Sequence, residues 1–211
     1  MPFSDYAIDN FISPDLSKLT ECNAVEIATR FPQSAHWLAN FILNSIFGHP
    51  IGADGRRFCY LFLRRAEGAF IDYEEARLAL VEFIAGMQDG SRRLLPYFRA
   101  LHFFEATLPL LWQGFVLFSR LKGEKPFQKG DGSDYERLNT FYNLSKHVHP
   151  NDLPPNRLHT IWITNEGLEA EAKQLSFTSL EKLMVEIGEL ADTVSSCEWH
   201  NSQSATETGL P

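Results

Sequence analysis

Residues 92–122, RRLLPYFRALHFFEATLPLLWQGFVLFSRLK, form the most apolar long segment of the chain. At 100° per residue, the polar side chains of this segment fall along one side of a helix. They are Arg92, Arg99, His102, Gln113 and Arg120, with Glu105 at the edge. Leucine, phenylalanine and tryptophan cover the other sides, so the sequence predicts a central, buried helix with one polar side.

Two prolines lie within this segment. Pro96 stands near the first turn, where a helix tolerates proline, whereas Pro109 lies in the interior and is predicted to kink the helix. The turn residues Asp89-Gly90-Ser91 precede the segment. Because that connection is short, the helical segment before it is predicted to be an antiparallel neighbour.

Apolar periodicity predicts further helices on both sides of the central one. They are expected over residues 21–31, 34–47, 54–88, 133–148 and 178–194. Gly68 leaves open whether the third of these is one helix or two. Ser34, Asp54, Ser133 with Glu136, and Thr178 with Glu181 are the expected N-terminal caps.

Residues 158–164, LHTIWIT, give the one convincing strand pattern, and a partner strand is expected within residues 168–177. The predicted fold is therefore mainly α, a helical bundle with a small C-terminal β-hairpin. We expect residues 1–20 to be an N-terminal arm, residues 21–194 a single helical domain that includes the hairpin over 158–177, and residues 195–211 a disordered tail.

Composition is typical of a globular protein with its own core, since 44% of the 211 residues are hydrophobic. The three cysteines form no C-x-x-C pair, which favours a reducing compartment. The N-terminus has no signal-peptide pattern, and the longest apolar run of the central segment, 108–112, is far shorter than the roughly 20 residues that span a bilayer. We therefore expect a cytoplasmic protein that does not contact a membrane.

The net charge of −8 is unevenly distributed. Residues 1–52 carry two basic and five acidic side chains, residues 53–164 fifteen and thirteen, and residues 165–211 two and nine. A protein that coats duplex DNA normally has a basic surface, so this role is disfavoured. A local basic site in the middle of the chain remains compatible with the sequence.

The predicted helix over 133–148 has an unusual polar face, which consists of Glu136, Asn139, Asn143, Lys146 and His147. Asparagine is a poor helix former, so two of them on one face indicate selection for contact with another molecule. The alternative is an ordinary exposed face. In that case His147 and His149 would interact with the helix dipole at the C-terminal end.

The sequence ERLNTFYNLSKHVH contains Arg137, Asn143, Lys146 and His147. It resembles the signatures of HEPN-type helical proteins and related abortive-infection proteins, although Arg137 lies further from His147 than in the family's ribonuclease motif. The resemblance implies a helical bundle that binds nucleic acid or protein without catalysis, with a role in phage defence. The alternative that it implies is a metal-independent ribonuclease.

As a ribonuclease, the chain would use His147 as general acid or base on a ribose 2′-hydroxyl. Lys146, with Arg99 or Arg137, would stabilise charge on the phosphate, and Asn143 would orient the nucleotide. Arg99, His102, Glu105 and Asn139 are the candidate binding residues. His102 and Glu105 can equally be buried polar groups that find hydrogen-bond partners across the helix.

The other chemical possibility is a metal site formed by His147, His149 and Asp152, with Glu105 or His102. Residues two apart on a helix point away from each other, and no H-E-x-x-H motif is present, so no metal and no cofactor are predicted. Phosphate-loop and nucleophile-elbow motifs are also absent from the sequence. RNA and protein both stay open as partners, and the apolar helices make a homodimer plausible.

Overall fold

The computed structural model describes residues 4–47, 53–91, 93–146, 159–171 and 173–196. Within these ranges the helices are α1 (Asp5–Phe11), α2 (Trp37–Phe47), α3 (Ala53–Gln88), α4 (Leu95–Lys122), α5 (Asp134–Lys146) and α6 (Phe177–Ser195). The strands are β1 (Trp162–Ile163), β2 (Gly167–Ala170) and β3 (Lys173–Ser176). The prediction of a mainly α fold with a small β element near the C-terminus is confirmed.

The predicted central helix is α4, which begins at Leu95, with Pro96 in its first turn and Pro109 inside it. Tyr97, Phe104 and Leu108 are fully buried along it. Helix α3 packs antiparallel to α4 and continues through Gly68 as one helix. By length and composition α4 would also suffice to cross a membrane, which is a property that buried core helices share.

The helix predicted over residues 21–31 is wrong, since residues 21–27 have no regular secondary structure and the next residues form turns. Ala24, Ile27 and Phe31 are buried at the spacing of a helix. The backbone between Val25 and Ala28, however, is hydrogen-bonded to side chains of α3. The amide of Ile27 donates to Glu74 Oε1 at 2.9 Å, and the Tyr73 hydroxyl donates to the Val25 carbonyl at 2.9 Å. Side chains of α3 therefore replace the hydrogen bonds of a helix.

Three of the predicted helix starts also need correction. Helix α2 begins at Trp37 rather than at Ser34, and α3 begins at Ala53, so Asp54 lies inside it. Helix α6 is capped by Ser176, whose Oγ accepts the amide of Ser179 at 3.1 Å, and not by Thr178. The chain can enter α6 earlier because β3 ends at Ser176 and delivers that hydroxyl to the first turn.

The capping box at the start of α5 is half formed. The amide of Glu136 donates to Ser133 Oγ at 3.2 Å, as predicted. The Glu136 carboxylate instead accepts the amides of Gly130 and Gly132, at 2.6 and 2.9 Å. Glu136 thus holds the loop between α4 and α5. Its carboxylate is engaged in these two hydrogen bonds, whereas the sequence predicts that it contacts another molecule from the polar face of α5.

The predicted hairpin is a three-stranded antiparallel sheet in the order β1-β2-β3. Residues 168–177 supply two strands rather than one, because the chain reverses at Glu171, whose φ is 48°. The turn after β1 also holds the N-terminal segment, since Asn165 Oδ1 accepts the amide of Thr20 at 3.0 Å. Ile8 and Leu16 of that segment are fully buried in the common core. The predicted tail over residues 195–211 begins too early, since Ser195 is buried and is the last residue of α6. Residues 197–211 lie outside the described residues.

Two glycines allow α6 to approach its neighbours. A Cβ atom at Gly188 would lie 2.7 to 2.9 Å from three ring atoms of Phe31, and one at Gly114 would lie 2.6 Å from Ile187 Cδ1. The Phe31 ring is held by edge contacts to Trp37 and Phe70, with centroids 6.2 and 5.4 Å away. The Ile187 methyl, by contrast, is the end of a flexible side chain.

We therefore predict that Gly188→Ala lowers the free energy of unfolding by about 2 kcal/mol, because a buried ring cluster must shift. Gly114→Ala is the matched control, and it should stay within about 1 kcal/mol of the original protein, since Ile187 can rotate and alanine favours a helix. Urea denaturation of both variants measures the difference. Equal losses would contradict a rigid ring cluster at Gly188.

Candidate functional site

The polar side of α4 and one side of α5 enclose an open cleft of about 400 Å³. The side chains from α4 are His102, Glu105, Ala106, Pro109 and Gln113, and those from α5 are Tyr142, Ser145 and Lys146. Both sets follow helical spacing, so each helix presents one face to the cleft. Ala106 and Pro109 are apolar and lie between the polar side chains of the α4 wall, and we call their surface the floor of the cleft.

Pro109 also changes the hydrogen bonding of the α4 wall. Because proline has no N–H, it cannot donate the helical hydrogen bond to the carbonyl of Glu105, four residues earlier. Glu105 and Pro109 both line the cleft. Helix α4 therefore lacks one hydrogen bond of its regular ladder at the point where it lines the cleft.

Glu105 is the carboxyl group of the cleft. Burial raises its pKa from an ordinary value of 4.5 to about 7. Near neutral pH the side chain consequently exists in both protonation states, and it can donate or accept a hydrogen bond. A carboxyl whose pKa lies close to the working pH is suited to proton transfer or to recognition of a ligand's hydrogen-bond pattern.

The α5 wall is ordered by contacts around Tyr142. Lys146 Nζ lies 5.6 Å from the centroid of the Tyr142 ring, and the Trp112 ring stacks with the same tyrosine at a centroid distance of 6.2 Å. The Ser145 hydroxyl donates to the Tyr142 carbonyl at 2.9 Å. Lys146 is exposed, so its ammonium group stands at the mouth of the cleft with its charge available to an anion.

His102 lies at the other end of the cleft and is exposed. It is close enough to Asp72 of α3 for a protonated imidazole to lower the pKa of that carboxyl, which burial otherwise raises. The imidazole therefore interacts with Asp72 of α3, and it lines the same cleft as Glu105.

The sequence analysis predicts that Arg99 or Arg137 stabilises charge on an RNA phosphate. Neither residue lines the cleft. Arg99 forms an exposed ion pair with Glu82 of α3 at 3.3 Å, and a longer one with Glu75 at 3.9 Å. Arg137 pairs with Asp134 on its own helix at 2.7 Å. Each guanidinium is therefore engaged on a surface outside the cleft.

The two asparagines of α5 also lie outside the lining of the cleft. Asn143 is exposed and Asn139 is half-buried. His147, together with His149 and Asp152, lies outside the described residues. The structure therefore brings together His102, Glu105 and Lys146 of the predicted set. In the described ranges, no group of three histidine, cysteine, aspartate or glutamate side chains is arranged to hold a metal ion.

Tyr142, Ser145 and Gln113 line the cleft but were not among the predicted site residues. Gln113 could have been included, because it shares the polar side of α4 with His102. For Tyr142 the sequence signal was its i+3 relation to Ser145 and its i+4 relation to Lys146. Helical periodicity alone does not show which side of α5 meets α4.

No protein-family model, curated protein or solved structure matches this chain. The resemblance to HEPN-type proteins accordingly stays a prediction.

The raised pKa of Glu105 predicts how stability depends on pH. The folded protein holds this proton more tightly than the unfolded chain does, so the stabilisation is complete below about pH 4.5 and is lost as pH rises to about 7. Glu105→Gln should remove this dependence and raise the free energy of unfolding at pH 8 by about 2 kcal/mol.

Urea denaturation at pH 5 and pH 8 measures the effect. The exposed Glu124, on the loop after α4, provides the matched control, and Glu124→Gln should leave the pH dependence as it is in the original protein. If Glu105→Gln shows the same fall in stability between the two pH values, another group is responsible.

Proposed function

We propose that this chain is a binding module for single-stranded RNA, and that it holds the RNA in the α4–α5 cleft without cleaving it. The observation that carries the proposal is the arrangement of an exposed ammonium group and several hydrogen-bonding groups around an apolar floor. This function agrees with the binding role that the HEPN resemblance implies.

The floor of the cleft suits an unstacked base. Ala106 and Pro109 are apolar and can cover the face of a planar ring, while the Glu105 and Gln113 side chains stand beside them. An amide and a protonatable carboxyl together offer donors and acceptors to the edge of a base. Sequence-specific RNA recognition relies on such contacts to bases that are not paired in a duplex.

Lys146 supplies the charge that a phosphate needs. It is exposed at the end of α5 and lines the same cleft as Ala106 and Pro109. Its ammonium group is a hydrogen-bond donor on a flexible side chain. Residues 93–146 carry eight basic and five acidic side chains, whereas the segments on either side are net acidic. A polyanion would therefore be attracted to this surface and repelled by the C-terminal part of the protein.

The test is the affinity of the full chain for a fluorescein-labelled, mixed-sequence RNA oligonucleotide at low salt. Lys146→Ala should weaken binding roughly tenfold, since a charge-assisted hydrogen bond contributes about 1.5 kcal/mol. Arg137→Ala is the matched control, because it removes the same charge from the same helix outside the cleft. That variant should bind within roughly twofold of the original protein.

Equal losses in the two variants would mean that general surface charge, and not the cleft, binds the RNA. The same RNA in a duplex should compete poorly, because its bases are not accessible. Absence of binding to single-stranded RNA at low salt would overturn the proposal and leave a protein ligand as the alternative. Added magnesium or chelator should not alter the affinity beyond the effect of ionic strength.

A metal-independent ribonuclease is the second candidate, and the pKa of Glu105 near 7 favours it. In that reaction a base takes the proton of the ribose 2′-hydroxyl, the 2′-oxygen attacks phosphorus, and the bond from phosphorus to the 5′-oxygen breaks. An acid protonates the leaving 5′-oxygen, which gives a 2′,3′-cyclic phosphate and a free 5′-hydroxyl. Glu105 would serve as one of the two groups and His147 as the other.

Prolonged incubation of RNA with the protein, with and without chelator, separates the two candidates. If the chain is a ribonuclease, it should cleave RNA in the presence of chelator, and the rate of cleavage should fall at least a hundredfold in both Glu105→Gln and His147→Ala. The binding module predicts intact RNA in every case. Cleavage that persists in His147→Ala would rule out the catalytic role of that histidine.

A further inference from the structure

A second concave surface lies between α2 and the first turns of α3. It is a groove of about 620 Å³ lined by Phe41, Ile42, Ser45, Ile46, Arg56, Arg57, Tyr60 and Leu61. Ile46 is 66% exposed, Ile42 43% and Leu61 41%. Such a cluster of exposed aliphatic side chains is typical of a surface that another segment covers.

The end of α6 lies against α2, one of the two helices that form this groove. Asn44 of α2 donates from Nδ2 to the carbonyl of Ser195 at 2.7 Å, which ties the end of α6 to the middle of α2. Leu43 lies next to Ser195 and Ser196 in a small polar depression and is 53% exposed. From there the exposed surface of α2 continues over Ile46 into the groove.

The residues after Ser196, CEWHNSQSATETGLP, have the chemistry that complements the groove. They contain the large apolar side chain of Trp199, two carboxylates at Glu198 and Glu207, and neither lysine nor arginine. The groove presents apolar side chains together with the exposed guanidinium of Arg56. An aromatic side chain beside an acidic one therefore matches an apolar cavity beside a cation.

The distance can be spanned by the chain. Ile46 lies three residues after Leu43 on α2, so their Cβ atoms are about 5–6 Å apart. Trp199 is three residues after Ser196, and an extended chain advances about 3.3 Å per residue. The segment can thus pass over Leu43 and bring its tryptophan to the aliphatic side chains of α2 without any movement of α6.

We propose that residues 197–211 of this chain bind in the α2–α3 groove, with Trp199 against Ile42, Ile46 and Leu61 and Glu198 beside Arg56. The groove is then a docking site for an acidic, aromatic segment in the same molecule. This surface lies on helices that do not line the α4–α5 cleft, so the inference does not depend on RNA binding.

Fluorescence of Trp199 in the full chain tests the proposal. The difference between the spectra of the original protein and of Trp199→Phe isolates the emission of this residue. A docked Trp199 should emit at short wavelength and resist quenching by iodide. Ile46→Asp should shift the emission to longer wavelength and raise the quenching constant several-fold, because it places a carboxylate in the apolar contact.

Leu95→Asp is the matched control, because Leu95 is 70% exposed and lies on α4 away from the groove. It should leave Trp199 protected. Emission typical of a solvent-exposed tryptophan in the original protein would overturn the proposal. Protection that disappears on dilution would also overturn it, because the groove would then bind a second copy of the chain.

A charge exchange keeps the test decisive if Ile46→Asp fails to fold. Arg56→Glu and Glu198→Arg should each raise iodide quenching of Trp199, and the double variant should restore protection. If both single variants quench like the original protein, Glu198 does not lie beside Arg56 and the proposed orientation of the segment is wrong.

Discussion

The fold depends on the burial of α4 against α3, because these are the two longest helices of the described residues and each carries fully buried large side chains. Each such side chain contributes about 1.5–3 kcal/mol when it leaves water. Tyr97, Phe104, Leu108 and Leu111 are all fully buried on α4. The other helices and the sheet pack around this pair, and the cleft with α5 leaves part of the polar side of α4 open to solvent.

Apolar periodicity was sufficient to predict α3, α4, α5 and α6, since each is long enough for one face to be recognised. It failed for residues 21–31, where buried side chains follow helical spacing although their backbone is bonded to Glu74 and Tyr73. Local pattern cannot reveal a partner that is distant in sequence. The strands were underestimated for the same reason, because β2 and β3 are short and their pairing depends on a reversal at Glu171.

From the sequence, only the residues of the candidate site that share one helix could be predicted to lie together. His102, Glu105 and Gln113 share one side of α4 by periodicity alone, and the structure places them in one cleft. Which side of α5 faces them depends on how Leu138 and Phe141 pack in the core. That packing turns Tyr142, Ser145 and Lys146 towards α4 and leaves Asn143 exposed, although all of these residues lie within one turn and a half of helix.

The carboxyl of Glu105 lowers the stability of the folded protein at neutral pH, since its burial favours the protonated form. A glutamine would fill the same space without a charge. Pro109 likewise removes a hydrogen bond from the helix on which the core depends. Both features lie at the same point of α4 and face the same cleft. Packing does not explain two unfavourable features at one cleft, since neither of them improves it; under the proposed function, the Glu105 carboxyl is instead a group that contacts the ligand.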